Sequence, residues 1–275
     1  MSDARRHADA EPGAELARVT ALSLTPVKGL RIAPVERLVL DRDGARGDRR
    51  FYLVEERGWM VNGKHSRALN EVVAELDADE HDGEEHLTLR FPDGSRVSAP
   101  VELGETLQTR FFSRPREARL LLGPFAAALS RHAEEELRFV QPVGGTAVDR
   151  GRRGAVSMIS LGSLGRLAQL AGEPSVDARR FRMSIELDGV EPFAEEDWIE
   201  RTIAIGETRV RLRGNVGRCI VTSRNPESGE VDLPTLDLLR ELRSGVASSE
   251  PLPFGVYGEV AQPGIVRLGD RVEVL

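Results

Sequence analysis

The sequence predicts a mainly β (α+β) protein of two β-barrel-like domains with a few peripheral helices. Short apolar stretches that alternate with period two recur along the whole chain. They are punctuated by Gly- and Pro-centred turns, drawn from 27 glycines and 15 prolines. Only about three segments carry helical spacing, and they do not interleave with strands as βαβ units require.

Taken in order, residues 18–24 read as a strand, stopped by Thr25-Pro26-Val27-Lys28-Gly29, where proline lacks the ladder donor. A second strand, 35–40, ends at Asp41-Arg42-Asp43-Gly44. Residues 50–54 and 59–61 form a hairpin around Glu56-Arg57-Gly58, and 87–91 with 95–98 form another around Pro92-Asp93-Gly94. Residues 107–112 follow as a strand. Pro124 suits the first turn of a helix over 125–135, and 137–140 return to strand. The polar stretch 144–154 reads as a loop between domains or over a site.

Residues 156–161 are a strand running into a helix, because Leu161, Leu164, Leu167, Ala168 and Ala171 recur at helical spacing and Gly172 supplies a stop. Residues 179–187 read as a strand, 193–198 as an acidic loop, and 199–205 with 208–212 as a hairpin over Gly206-Glu207. The tight loop Gly214-Asn215-Val216-Gly217 feeds a short strand at Cys219, and 234–242 is an amphipathic helix. Strands at 255–260, 264–268 and 271–275 close the chain.

Length and composition bound the function. A chain of 275 residues, 40% hydrophobic and 30% charged, can bury a sizeable core in two modest domains. The expected division is a disordered leader over 1–16, a first domain over 17–140 and a second over 141–275. A net charge of -7 disfavours nucleic acid as a partner. The single cysteine excludes an internal disulfide framework and fits a reducing compartment. No apolar run reaches membrane-spanning length, and the polar N-terminus lacks a signal core. A cytoplasmic protein without membrane attachment is expected.

Few standard motifs are present. His7, His65, His81, His86 and His132 stand at no zinc spacing, and there is no Cys-x-x-Cys pair. Phosphate-binding, dinucleotide-binding and nucleophile-elbow signatures are missing. Cys219 is the one conspicuous residue: a thiolate at a loop junction binds a soft metal or attacks an electrophile. The plain alternative is a small buried hydrophobe. Basic residues gather beside loops despite the acidic balance: Lys28, Arg49-Arg50, Arg179-Arg180-Phe181-Arg182, and Arg218 next to the cysteine. Arginine forks match phosphate oxygens, although each group alone is ordinarily a solvated charge. Arg180 and Arg182 would share one face of the expected strand, with Phe181 on the other. Ser160 and Ser163 at a helix start are either caps or hydroxyls beside an anion site.

These elements, in this order, resemble the MOSC domain family, named for the C-terminal domain of molybdenum cofactor sulfurase. Pro26-Val27-Lys28-Gly29 and Gly47-Asp48-Arg49-Arg50-Phe51-Tyr52-Leu53-Val54 look like its associated N-terminal β-barrel. Arg180-Phe181-Arg182, Glu195-Glu196-Asp197-Trp198, Arg218-Cys219-Ile220-Val221-Thr222, Asn225-Pro226-Glu227-Ser228-Gly229 and Phe254-Gly255-Val256-Tyr257 look like the MOSC domain. The chain is similar in this respect to amidoxime-reducing components.

The resemblance implies a molybdenum cofactor (Mo-molybdopterin), with Cys219 as catalytic metal ligand. It implies Lys28, Arg49 or Arg50, Arg180, Phe181, Arg182, Arg218 and Thr222 around the pterin and phosphate, with Ser160 and Ser163 as a serine pair. It further implies reduction of a small N-oxygenated (N-hydroxylated) substrate with electrons from a separate donor protein. Cysteine-persulfide sulfur transfer and a non-catalytic cofactor carrier stay open as alternatives; pyridoxal phosphate is not expected. Two departures stand out: Gly29 replaces a serine common after the lysine, and Met183-Ser184 replaces Pro-Asn after Arg182. The chain also lacks the cysteine cluster of a fused iron–sulfur domain.

Overall fold

The computed structural model describes residues 15–78, 84–144, 148 and 151–275. Residues 1–14 of the leader expected over 1–16, and also His81 and Arg150, lie outside the described residues, while Glu15 and Leu16 already belong to the first strand. The chain opens with β1 (Glu15–Leu24), β2 (Ala33–Pro34), β3 (Arg37–Asp41) and β4 (Gly44–Ala45). The short hairpin β5 (Tyr52–Val54) and β6 (Met60–Val61) is followed by β7 (Val73–Ala78), β8 (Glu85–Arg90) and β9 (Arg96–Pro100). Then come β10 (Leu103–Phe111), β11 (Arg114–Leu121), α1 (Phe125–Ala133) and β12 (Arg138–Pro142). The C-terminal part contains β13 (Val156–Ser160), α2 (Leu161–Ala171), β14 (Ile185–Asp188), β15 (Thr202–Ile205) and β16 (Thr208–Asn215). It ends with α3 (Thr235–Leu242), β17 (Val256–Gln262), β18 (Gly264–Arg267) and β19 (Arg271–Val274).

The strands pair in the order β14-β13-β17-β16-β15-β19-β1, and β1 also pairs with β14, so seven strands close into a barrel. Alternation drives the closure. Val156 and Met158, Ile185 and Leu187, Ile203 and Ile205, Val210 and Leu212, and Val272 and Val274 all turn inward into one apolar core. Each such fully buried side chain contributes roughly 1.5–3 kcal/mol. β1, the first described strand, is held between β19 and β14. The unit read as N-terminal from sequence thus lends its first strand to the barrel built mostly from residues after 155.

The second unit is the sheet β10-β11-β12-β5-β6, nearly closed by a bridge between Trp59 and Arg110. The sheet β7-β8-β9 packs on it over a core that includes Phe51, Phe125 and Phe139. Gly58 lies at φ 81°, and a Cβ there would stand 3.0 Å from the Gln108 carbonyl oxygen, so the β5–β6 turn needs glycine to approach β10. The β18-β3-β4 sheet packs on the seven-stranded barrel, adding Leu38, Leu40, Ala45 and Val266 to its core.

The mainly β architecture agrees with the sequence, but several local elements differ. The strand expected over 179–187 begins instead as a 3-10 turn at Ala178–Phe181, capped by the Asp177 carboxylate, and the strand starts only at Ile185. The strand expected after Cys219 is a 3-10 turn, Ile220–Ser223, and the acidic loop over 193–198 contains another, Ala194–Trp198. Residues 151–154 of the expected 144–154 loop form a further 3-10 turn; residues 145–147 and 149–150 lie outside the described residues. Strands β7 and β11 had no counterpart in the sequence reading.

Candidate functional site

Where the two units meet, the chain encloses a cavity of about 480 Å³. One wall comes from the turn carrying Lys28, from Arg49, from Asn62 and Lys64 after β6, and from Phe112 at the tip of the β10–β11 hairpin. The other comes from Arg180, Phe181 and Arg182, and from the loop Val216–Thr222 with Cys219. Six cationic side chains (Lys28, Arg49, Lys64, Arg180, Arg182 and Arg218) thus face a cavity whose lining carboxylates are Asp48 and Glu250. The sole thiol of the chain opens into it, partly exposed.

Cys219 is held in extended backbone (φ -140°, ψ 177°) at the start of the 220–223 turn. Thr222 fixes it from the far side: its amide and hydroxyl both donate to the Cys219 carbonyl, at 3.0 and 2.9 Å. The Thr222 carbonyl in turn accepts from the Thr235 hydroxyl at 2.9 Å, which ties the turn to α3.

Arg218 is 8% exposed and braces the loop. Its Nε donates to the Phe254 carbonyl at 2.8 Å and its Nη1 to the Phe181 carbonyl at 2.8 Å. The guanidinium lies 5.2 Å from the Phe181 ring centre. One buried fork therefore joins three chain segments around the thiol, a task for which arginine's planar donors are suited.

The opposite wall is tied down in the same way. Asp48 accepts from the Thr25 amide at 2.9 Å and pairs with Arg49, and the Lys28 amide donates to the Phe51 carbonyl at 2.8 Å. Arg49 and Arg182 both hold left-handed backbone, φ 44° and 55°, which costs a non-glycine residue of order 1–3 kcal/mol. They meet, with Arg49 Nη2 donating to the Arg182 carbonyl at 2.7 Å. The two strained residues come from different units and join across the cavity edge.

Arg180 lines the cavity, but its guanidinium grips Asp232 at 2.6 and 2.9 Å and the Arg224 carbonyl at 2.8 Å. The hydrogen bonds from Arg180 hold the Asp232 carboxyl below the usual aspartate range. The expected one-face arrangement of Arg180 and Arg182 opposite Phe181 does not occur: the 3-10 turn and the left-handed Arg182 bring all three residues to the cavity. Behind them, Glu227 of the Asn225–Gly229 turn accepts from Arg31 of one unit and Arg179 of the other, both at 2.5 Å.

Of the residues singled out from the sequence, Lys28, Arg49, Arg180, Phe181, Arg182, Arg218, Cys219 and Thr222 line this cavity. Arg50, Ser160 and Ser163 do not line it. Arg50 pairs with Glu85 and lies 5.4 Å from the Phe51 ring centre. Ser160 and Ser163 are fully buried at the start of α2. Ser160 Oγ accepts from the Ser163 amide at 3.1 Å, a plain N-cap. Both hydroxyls donate at 2.8 Å to the buried Glu195 carboxylate, so the anion at this helix start is the protein's own side chain.

Sequence reasoning missed Asn62, Lys64 and Phe112. The signals present were an Asn62-Gly63-Lys64 turn closing a hairpin and the aromatic pair Phe111-Phe112 at a strand end. Among the described residues, no group of three or more His, Cys, Asp or Glu side chains is placed to hold a metal ion.

Two interlocked β-barrels with a cationic, thiol-bearing cavity between them define the class of protein to which this chain conforms. Residues 145–273 match the MOSC domain and residues 16–120 match the MOSC N-terminal beta barrel domain, so the chain belongs to the MOSC domain family in its two-barrel form. It is similar to mitochondrial amidoxime-reducing component 1 of Xenopus laevis, with 27% identity over 298 aligned residues covering 98% of this chain and 85% of that protein. With mitochondrial amidoxime-reducing component 1 of Homo sapiens it shares 31% identity over 110 residues, 38% of this chain and 32% of the human protein. Among solved structures, the YuaD protein from Bacillus subtilis is 15% identical over 94% of each chain, at a TM-score of 0.47. Among the described residues, no helix is long and apolar enough to cross a membrane.

Proposed function

We propose that the cavity holds a molybdenum cofactor and that the protein reduces small N-oxygenated substrates. The observation that carries this is the donor set. One thiol stands among six cations, with no cluster of protein ligands beside it among the described residues. A soft metal held here must bring its other ligands along, and the cations suit an anionic carrier of that metal. A pterin dithiolene ending in phosphate has that chemistry, and the chain is similar over nearly its whole length to a protein named an amidoxime-reducing component.

In this reading Cys219 supplies the protein's sulfur ligand, and Thr222 and Arg218 fix where that sulfur points. Lys28, Arg49 and Arg182 hold the anionic end. Arg180, locked to Asp232, shapes the wall. When bound, the cofactor supplies the redox step: an N-hydroxyl group takes two electrons and two protons, its N–O bond breaks, and an N–H group and water result. The chain carries no flavin, nicotinamide or iron–sulfur signature, so the electrons come from a separate donor protein.

The test is molybdenum content in protein made in a cofactor-producing host against a cofactor-deficient one, together with benzamidoxime reduction by reduced viologen. Molybdenum near one per chain and viologen-driven turnover are expected only from the first preparation, with no turnover on NADH alone. Bound cofactor without turnover would make the protein a carrier. A persulfide on Cys219 of metal-free protein, seen by mass spectrometry, would assign it to sulfur transfer.

A further inference from the structure

We propose that the outer edge of the N-terminal sheet beside the cavity mouth is the docking surface for an acidic one-electron carrier protein. The inference rests on the reductase reading above and names the kind of donor that reading requires.

The edge is built from the β5–β6 turn and the β10–β11 hairpin. Trp59 is 48% exposed and Phe112 is 50% exposed, the largest exposed aromatic side chains among the described residues. The Arg110 guanidinium lies 5.3 Å from the Trp59 ring centre, and the Arg110 amide donates to the Gly58 carbonyl at 2.8 Å, so this stack is held by the backbone on both sides. Phe112 sits at φ 54° at the hairpin tip, an unusual conformation for an aromatic residue, which leaves its ring outside the core. The Lys64 ammonium lies 5.7 Å from that ring centre. Trp and Arg are the residue types that dominate binding energy at protein interfaces.

Charge selects the partner. Several arginines elsewhere are neutralised internally, as in Arg31 with Glu227, Arg179 with Asp177, Arg180 with Asp232 and Arg213 with Glu259, while others, such as Arg37, Arg42, Arg96 and Arg138, are exposed without an ion pair among the described residues. Arg57, Arg110, Arg114 and Lys64 are exposed, and among the described residues none forms an ion pair with a carboxylate. Cations left without an internal partner around two exposed aromatics make a surface complementary to an acidic protein.

Position selects the partner's role. Phe112 and Lys64 belong to the edge and also line the cavity, and Arg110 lies only about 7 Å back along the strand from Phe112. A carrier seated on this edge sits against the mouth. Reduction of one N-hydroxyl group consumes two electrons and two protons and releases water, so two reduced carriers are oxidised per turnover.

The test compares the holoprotein with the double variant Trp59→Ser/Arg110→Glu and with Arg114→Glu; none of these three residues lines the cavity. A reduced acidic plant-type ferredoxin is the protein donor, reduced viologen the small one, and benzamidoxime the acceptor. Binding of oxidised ferredoxin is measured by calorimetry alongside, because it needs no turnover. The double variant should raise the KM for ferredoxin and the Kd by about tenfold or more, as loss of hot-spot side chains does. Viologen-driven turnover should stay within about twofold of wild type, and ferredoxin binding should weaken with added salt. The docking proposal is overturned if the wild type turns over with viologen yet neither binds ferredoxin nor accepts its electrons, or if the variants bind it unchanged. Binding of a single-stranded oligonucleotide in place of ferredoxin would assign the edge to nucleic acid. Absence of viologen-driven turnover would instead strike the reductase reading, and calorimetry would still decide the docking.

Discussion

Along β15 and β16 the side chains of Ile203, Ile205, Val210 and Leu212 point into the barrel, and all are 0% exposed. A short distance along the chain, Val216–Thr222 leaves the ladder and is held by hydrogen bonds from the Val216 and Arg218 amides to the Gly255 and Pro251 carbonyls, by one from the Phe254 amide to the Val216 carbonyl, and by one buried guanidinium. The barrel is stabilised by many interchangeable apolar contacts. The cavity is fixed by a few contacts, each with its own geometry, and two of its arginines hold left-handed backbone. Stability and chemistry are therefore separable here, and substitutions should sort accordingly.

The sharpest way to break that contrast is Cys219→Ala. Turnover should fall by at least about 100-fold, beyond the 10–100-fold usual for outer partners of a metal site. Melting should move by no more than about 1 kcal/mol. Assays at matched molybdenum content check this, and wild-type turnover would make Cys219 core packing. Ile205→Ala should do the reverse. A cavity in the barrel costs about 2–5 kcal/mol in urea unfolding, while molybdenum per folded molecule stays constant. A loss of metal with no loss of stability would show that the barrel core shapes the cavity directly.

Arg218→Lys lies between the two. It keeps the charge and removes the fork, so the Phe181 and Phe254 carbonyls lose a shared donor. A destabilisation of about 1.5–3 kcal/mol is expected, together with faster cofactor loss on dilution. An unchanged off-rate would place the control of Cys219 with Thr222 alone.

The smallest effect is in acid. The Asp232 carboxyl is held low by Arg180, so the unfolded chain binds a proton there before the folded one does. Its contribution is complete above the ordinary aspartate pKa of about 3.9 and is lost as pH falls through the lower folded value. Melting curves of wild type and Asp232→Asn should therefore converge below about pH 4. A constant gap across that range would mean that the Arg180 pair does not titrate on unfolding.

What was legible follows the same divide. Period-two alternation marked most barrel strands because each buries one complete face. It failed for β11, where Ala118 and Leu121 are the only fully buried side chains and arginines occupy much of the rest. Over 179–187 a strand was expected, but the Asp177 cap and its backbone bonds make residues 178–181 a turn. The thiol stood out as the only cysteine and the basic residues as clusters beside loops, but their grouping around one site was implied only by the family resemblance. Lys64 and Phe112 could not, because their place in the cavity depends on two hairpin tips that only the tertiary fold brings together. Ser160 and Ser163 were recognised as a pair at a helix start, but the carboxylate that occupies them lies beyond β14 and leaves no local trace.

The position of β1 bears on how the molecule is made. β1 pairs with β19, so the barrel closes only when two strands about 250 residues apart meet. Until then β1 and β15 present unpaired edges, and the intervening unit folds as an insertion within an open sheet. Contacts that span nearly the whole chain make closure slow. Separating the two family segments into independent polypeptides would thus leave a six-stranded, open barrel beside a unit carrying an orphan strand. Co-expression of residues 15–142 with residues 151–275 would succeed only if β1 could be donated in trans.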